Sequence, residues 1–511
     1  MVKLIHEFLE NSCQKYPYKV GLLHADHTFT YAQVNALSNR ISHLLLAAGL
    51  QKADRVLVIM ENSFENVAVY YGILKAGGVC VEIHEHSTQA EISYYIQNSG
   101  AKICILSALS SERLEGLDIP ITISLRTRSA DPSRTFISFS ELDSMPEGSL
   151  DLTINENDLA AIVYTSGSTG NPKGVMLSHR NLCTNTASIV SYLNLKDTDR
   201  IMAVLPFYYV YGKTLLNTHF LVGGSVVINN RFAFPNAVVK EMVEKEVTGF
   251  AGVPSTFAIL MNRSIFPKTT IRTLRYVTQA GGAMAPTLTK RLIEHLNSIE
   301  LYIMYGATEA SARLTFLPPN RLISDKLGSI GIPIPDVQIT IRDDAGKELG
   351  TNEVGNICAI GPNIMQGYWQ DFEETEKALK PWGLVTGDLG YKDDEGFIFL
   401  TGRKKEMLKI GGERVSPKEI EDTIIASGLV HEAAVIGKPD ELLSEVPAAY
   451  IVPMDEKTFD LEELKAYIVE KIAGHKHPKH WCTLKLMPKN PSGKIDREAL
   501  KNELLREMRA A

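Results

Sequence analysis

The string Tyr164-Thr165-Ser166-Gly167-Ser168-Thr169-Gly170-Asn171-Pro172-Lys173-Gly174 gathers hydroxyls and glycines around one lysine. That composition suits phosphate. Gly167, Gly170 and Gly174 let the backbone approach a ligand closely. The hydroxyls of Thr165, Ser166, Ser168 and Thr169 and the loop N–H groups donate to phosphate oxygens, while Lys173 supplies a point charge and Pro172 stiffens the exit. The preceding run, Leu159 to Tyr164, is apolar and contains β-branched residues, so the sequence predicts a buried strand feeding the loop. A Walker A loop needs G-x-x-x-x-G-K-[ST], and neither Gly167 nor Gly170 has Gly-Lys at that offset. The chemistry is therefore nucleotide chemistry outside the P-loop class.

Five further segments follow in order: Pro206-Phe207-Tyr208-Tyr209-Val210-Tyr211-Gly212; Ala280-Gly281-Gly282-Ala283; Tyr305-Gly306-Ala307-Thr308-Glu309; Thr386-Gly387-Asp388 with Gly402-Arg403; and Pro491-Ser492-Gly493-Lys494. With the phosphate string, this set resembles the adenylate-forming superfamily of acyl- and aryl-CoA synthetases, peptide-synthetase adenylation domains and firefly luciferase. The resemblance covers essentially the whole chain. It implies ATP-dependent conversion of a carboxylic acid to acyl-AMP with release of pyrophosphate, followed by transfer to CoA; loading of a separate carrier protein is the alternative. No carrier domain with a phosphopantetheine-type serine is apparent in the sequence, so loading in cis is not expected. Joining two anions and stabilising charge on the transferring phosphorus calls for cations and dipoles.

The resemblance also assigns roles. Glu309 would bind magnesium, a hard carboxylate oxygen on a hard cation. Thr308 would hydrogen-bond the α-phosphate, Tyr305 would stack on adenine, and Gly306, Gly281, Gly282 and Ala283 would complete the nucleotide pocket. Asp388 would accept from both ribose hydroxyls, with Arg403 donating to the sugar or a phosphate. Lys494 would bridge carboxylate and α-phosphate, forming the catalytic set with Thr165, Glu309 and Lys173. Lys405 falls at the hinge position, and Lys409, Gly411 and Gly412 would flank the pantetheine channel for CoA. Tyr209, Gly212 and Gly281 would meet the acid.

Two segments depart from the pattern. Many acyl- and aryl-CoA synthetases have His where this chain has Tyr209, and α-amino-acid domains usually have Asp there. A phenol is a poor counter-ion for an amine, which disfavours α-amino acids. Lys213, four residues on, would share a face with Tyr209 in a helix, but we expect it at a solvated surface. In Val81-Glu82-Ile83-His84-Glu85-His86-Ser87-Thr88, strand alternation would set Glu82, His84 and His86 on one side. We expect solvent exposure there rather than a metal site.

The elements that must hold these residues are legible as well. At 511 residues the chain is too long for one core, and 44% hydrophobic with 22% charged residues is an ordinary globular balance. Short apolar runs such as 55–59 and 102–106 alternate with amphipathic stretches such as 30–50, which predicts an α/β fold. We expect a large N-terminal domain of several α/β subdomains over residues 1–401, and a small mobile α+β domain over 402–511. There, Ser416 would cap a helix with Pro417 at its first position. The polar stretch Arg126–Thr135 reads as a surface loop. A net charge of −7 argues against non-specific nucleic-acid binding. Six scattered cysteines without C-x-x-C spacing fit a reducing cytoplasm, and no run of eighteen apolar residues suggests a membrane span.

Overall fold

Thr30 accepts from the backbone N–H of Gln33 and Gln33 returns a bond to the Thr30 N–H, so the amphipathic stretch begins as a capped helix, Tyr31–Ala47. The same device, Ser178 with Asn181, starts the helix His179–Leu193 directly after the phosphate hairpin. The computed structural model describes residues 2–107, 117, 119, 121–124, 135–165, 172–411, 413–440, 442–490 and 494–510. The expected loop 126–135 lies outside these, apart from Thr135, which opens the strand Thr135–Ser138.

Among the described residues the strands form three sheets. One has eight strands and carries the phosphate hairpin: Arg55–Ile59, Val79–Glu82, Ile103–Leu106, Ile121–Ser124 and Thr135–Ser138 run parallel, with Leu159–Thr165 beside Val79–Glu82. Lys173–Ser178 returns antiparallel, pairing Thr165 with Lys173. A fourteen-stranded sheet has a parallel centre in which Glu300–Tyr305, Tyr276–Gln279, Gly249–Gly252, Arg200–Ala203 and Ser225–Ile228 lie side by side. Its antiparallel wing includes Gly383–Lys392 and Ile398–Arg403, whose register sets Asp388 opposite Arg403. Parallel strands buried on both faces read as short continuous apolar runs, which is why they were visible in the sequence. The main core contains Tyr31, Tyr71, Tyr211 and Phe220, all nearly inaccessible.

The third sheet, of five strands, is built from Leu408–Ile410, Glu413–Val415, Val430–Asp440, Ser444–Pro453 and His480–Thr483, with helices Pro417–Ala426, Leu461–Lys471 and Arg497–Ala510. It has its own apolar clusters around Ile420, Val435 and Leu464 and around Tyr450, Met487 and Leu500. The α/β architecture with a separate small α+β unit is thus as expected. The expected cap differs in detail. Pro417 does start its helix, but the Ser416 hydroxyl makes no cap bond and donates instead to the Thr401 carbonyl. It ties the small unit's first helix to the strand Ile398–Arg403.

Candidate active site

Thr165 and Lys173, on either side of the phosphate string's centre, face each other across an antiparallel ladder. Ser166, Gly167, Ser168, Thr169 and Gly170 lie outside the described residues, as does Gly412. Lys173 is mostly buried. Its Nζ pairs with the Glu374 carboxylate and lies 5.4 Å from the centre of the Tyr368 ring. That ammonium, with Lys377, holds Glu374 below the usual carboxylate range.

Glu309 sits in the 3-10 turn Thr308–Ala310, just past the end of the strand Glu300–Tyr305. Its Oε1 accepts from the Tyr368 hydroxyl at 2.8 Å. Burial, reinforced by the Glu309 charge, raises the Tyr368 pKa, so the phenol stays a neutral donor. Tyr368 therefore links the expected magnesium carboxylate to the expected phosphate lysine. The sequence expectations missed both Tyr368 and Glu374. The available signal was the compact Gly367-Tyr368-Trp369 segment, whose backbone pairs with the hairpin strand through Gly367–Met176 and Tyr368–Val175.

Tyr305 is buried and donates to Asp388 Oδ2 at 2.7 Å, while Arg403 Nε lies 3.0 Å from Asp388 Oδ1. Asp388 thus spends one oxygen on each, and its charge raises the Arg403 pKa further. Burial does the same to the Tyr305 hydroxyl. Both Asp388 oxygens are already engaged, so a ribose would share or displace these donors. Thr308 opens the Glu309 turn, and Gly306 passes so near the Ala312 carbonyl that a Cβ there would lie 2.0 Å from it.

Gly281 has φ +84°, and a side chain there would meet Val253 at 3.1 Å and the Tyr209 hydroxyl at 3.2 Å, with Lys494 Cε 3.9 Å away. This glycine lies where Tyr209, the residue expected to meet the acid, and the C-terminal lysine converge. Gly282 and Ala283 are exposed beside it, and Gln279 Nε2 donates to the Gly282 carbonyl at 2.8 Å, fixing the turn. Tyr209 ends the loop before the helix Val210–Val222, and Lys494 Nζ stands 5.8 Å from its ring centre. Lys494 itself is exposed on a turn whose base is closed by Asn490 N to Lys494 O at 2.8 Å and by Lys494 N to Asn490 Oδ1 at 3.0 Å. Gly212 has a packing reason of its own, since a Cβ would lie 2.0 Å from the Pro206 carbonyl.

Lys405 is exposed in the 3-10 turn Lys404–Glu406, between the wing strand Ile398–Arg403 and the small unit's first strand. Lys409 and Gly411 are exposed on that strand and its turn, where Gly411 has φ +57° and donates to the Leu443 carbonyl. The Lys409–Gly411 group is thus on the small unit but is not brought to Tyr209 and Gly281 as Lys494 is.

The departures resolve differently from expectation. Lys213 is buried, not solvated, and pairs with a buried Glu82 at 2.7 Å. Helix geometry explains it: Lys213 N bonds Tyr209 O, placing the lysine in the first turn and facing the eight-stranded sheet. His84 and Glu85 are partly buried and only His86 is exposed, because the strand ends at Glu82 and alternation stops there. Among the described residues no three His, Cys, Asp or Glu side chains converge as a metal site.

Residues 9–369 match the model of the AMP-binding enzyme family, and residues 419–494 match that of the AMP-binding enzyme C-terminal domain. The chain belongs to the AMP-binding enzyme family. It is 32% identical over 487 residues to the long-chain-fatty-acid–CoA ligase FadD13 of Mycobacterium tuberculosis (strain ATCC 25618 / H37Rv), covering 94% of this chain and 93% of that one. Its fold superposes on ATP-bound MatB from Rhodopseudomonas palustris with a TM-score of 0.88 at 27% identity, over 98% of this chain and 99% of that one. It superposes on the o-succinylbenzoate CoA synthetase MenE from Bacillus subtilis, in complex with its acyl-adenylate intermediate, with a TM-score of 0.85 at 27% identity, covering 97% of each. The chain is accordingly an enzyme of the acid-activating, adenylate-forming type.

Proposed function

We propose that this enzyme activates a carboxylic acid with ATP, releasing pyrophosphate, and passes the acyl group from acyl-AMP to CoA. The observation that supports this is the meeting of Lys494 with Tyr209 and Gly281, the residues expected to meet the acid. With Lys494 there, the carboxylate would lie between its ammonium and the α-phosphate, and the point charge would offset the negative charge developing on both. Lys173 would take the terminal phosphates after leaving Glu374, and Asp388 would hold the ribose. Thr165, Thr308 and the hairpin tip would complete the phosphate contacts. Glu309 fits magnesium: Tyr368 occupies only Oε1, and magnesium is commonly held by one or two carboxylates together with phosphate oxygens and water. Bound there, the ion would neutralise phosphate charge.

A turn at Lys405 would let the small unit exchange Lys494 for the Lys409–Gly412 face, opening a path for the CoA thiol. On this basis residues 1–401 and 402–511 act as two moving parts. No helix of the described residues is long and apolar enough to cross a membrane, and the six cysteines are unpaired thiols, as a cytoplasmic enzyme would keep them. Pyrophosphate release over a panel of acids, followed by thioester formation with CoA, tests the proposal. Release that no acid stimulates would overturn it. Acyl transfer to a carrier protein but not to CoA would overturn the acceptor alone.

A further inference from the structure

The helix Val210–Val222 aims Lys213 at a small cavity of about 30 Å³ also bounded by Tyr70, Glu82, Phe207, Tyr208 and Ser311. Lys213 Nζ lies 2.7 Å from Glu82 Oε2, 4.1 Å from the Tyr70 ring centre and 5.2 Å from that of Phe207. The approach to Glu82 is off-axis, so among the described residues the ammonium completes no directed hydrogen bond. Glu82 is held from its other side, Oε1 accepting from Asn66 Nδ2 at 2.8 Å. Lysine and glutamate are each 9% exposed.

The cavity adjoins the site described above. Tyr208 and Val210, which line it, bracket Tyr209, whose ring faces Lys494. Its sheet wall includes Ala161 to Val163, on the strand that continues to Thr165. An acid whose carboxylate meets Lys494 would therefore point its far end past Tyr209 towards Lys213.

We propose, resting on the ligase reading, that Lys213 and Glu82 form a subsite for a hydroxyl at the far end of the acid substrate. A hydroxyl accepts one bond and donates another, so it satisfies both partners, accepting from Nζ and donating to Oε2. A methyl group would leave the buried ammonium without its bond. A second carboxylate would place two anions at one cation, because Glu82 already neutralises Lys213. The cavity has room for a hydroxyl.

The test compares pyrophosphate release for matched acids, cinnamic with 4-hydroxycinnamic and heptanoic with 7-hydroxyheptanoic, with heptanedioic acid as the charged control. The parent should favour the hydroxylated member of at least one pair by roughly tenfold or more in kcat/KM. In Lys213→Met that ratio should fall to within about twofold of unity. Because Lys213→Met strands a buried carboxylate, the double variant Glu82→Gln/Lys213→Met, checked by thermal melting, decides if the single variant does not fold. A ratio near unity in the parent for both pairs, a ratio kept in the double variant, or a preference for heptanedioic acid would overturn the subsite. Absence of release with every acid would overturn the ligase reading itself.

Discussion

Lys494 and Lys213 both lie beside Tyr209's loop and are treated in opposite ways. Lys494 is exposed at a turn of the small unit, and among the described residues no carboxylate lies within ion-pair distance of it. Lys213 is buried in the large unit, paired with Glu82 and faced by two aromatic rings. The difference follows from desolvation. A charge taken out of water needs a resident partner, whereas an exposed charge keeps its hydration and needs none. Lys173 is intermediate, largely buried and held by Glu374, with which a phosphate would compete under the proposed function.

The largest effect should come from removing the exposed charge of Lys494. Lys494→Ala should slow acyl-AMP formation at least a hundredfold, about 3–4 kcal/mol, while thioester formation from supplied acyl-AMP persists. Single-turnover assays of each half-reaction check this, and equal loss in both would make Lys494 an ordinary structural residue. Next is the proposed pivot. Lys405→Pro fixes φ in the 3-10 turn, so acyl-AMP should accumulate and its transfer slow by roughly tenfold. Transfer at the parent rate would place the pivot elsewhere.

Glu374→Gln sharpens the intermediate case. Releasing Lys173 from its resident partner should lower the apparent KM for ATP by roughly threefold to fivefold, the scale of a partly exposed ion pair. A higher KM would show that Glu374 positions the lysine rather than competing with phosphate.

The smallest test concerns buried charge without a partner. His6 and His179 pack edge to face in the large unit, and the Ile5 N–H donates to His179 Nδ1. Burial, with the neighbouring Lys75 or histidine charge, lowers their pKa to about 4 and about 3. Both folded-state values lie below the ordinary 6.5, so the unfolded chain binds more protons between them. Stability is therefore full above pH 6.5 and falls as pH drops towards 4, on the order of 2 kcal/mol per histidine between pH 7 and pH 5. Thermal melts of parent and His6→Asn should converge as pH falls. Parallel melting curves would show that His6 carries no such linkage.

The Thr165–Lys173 string, the Tyr305–Glu309 segment and the Lys494 turn could be read from sequence because each motif is contiguous and needs glycines or hydroxyls at fixed spacing. The α/β alternation was equally visible, since buried parallel strands are short apolar runs. Tertiary structure alone decided the partners. Tyr368 reaches Glu309 across 59 residues, Glu374 reaches Lys173 across 201, and Lys213 finds Glu82 through a helix packed on the other sheet. No local spacing encodes those meetings, and burial, which turns a solvated lysine into a paired one, is a property of packed layers rather than of any segment.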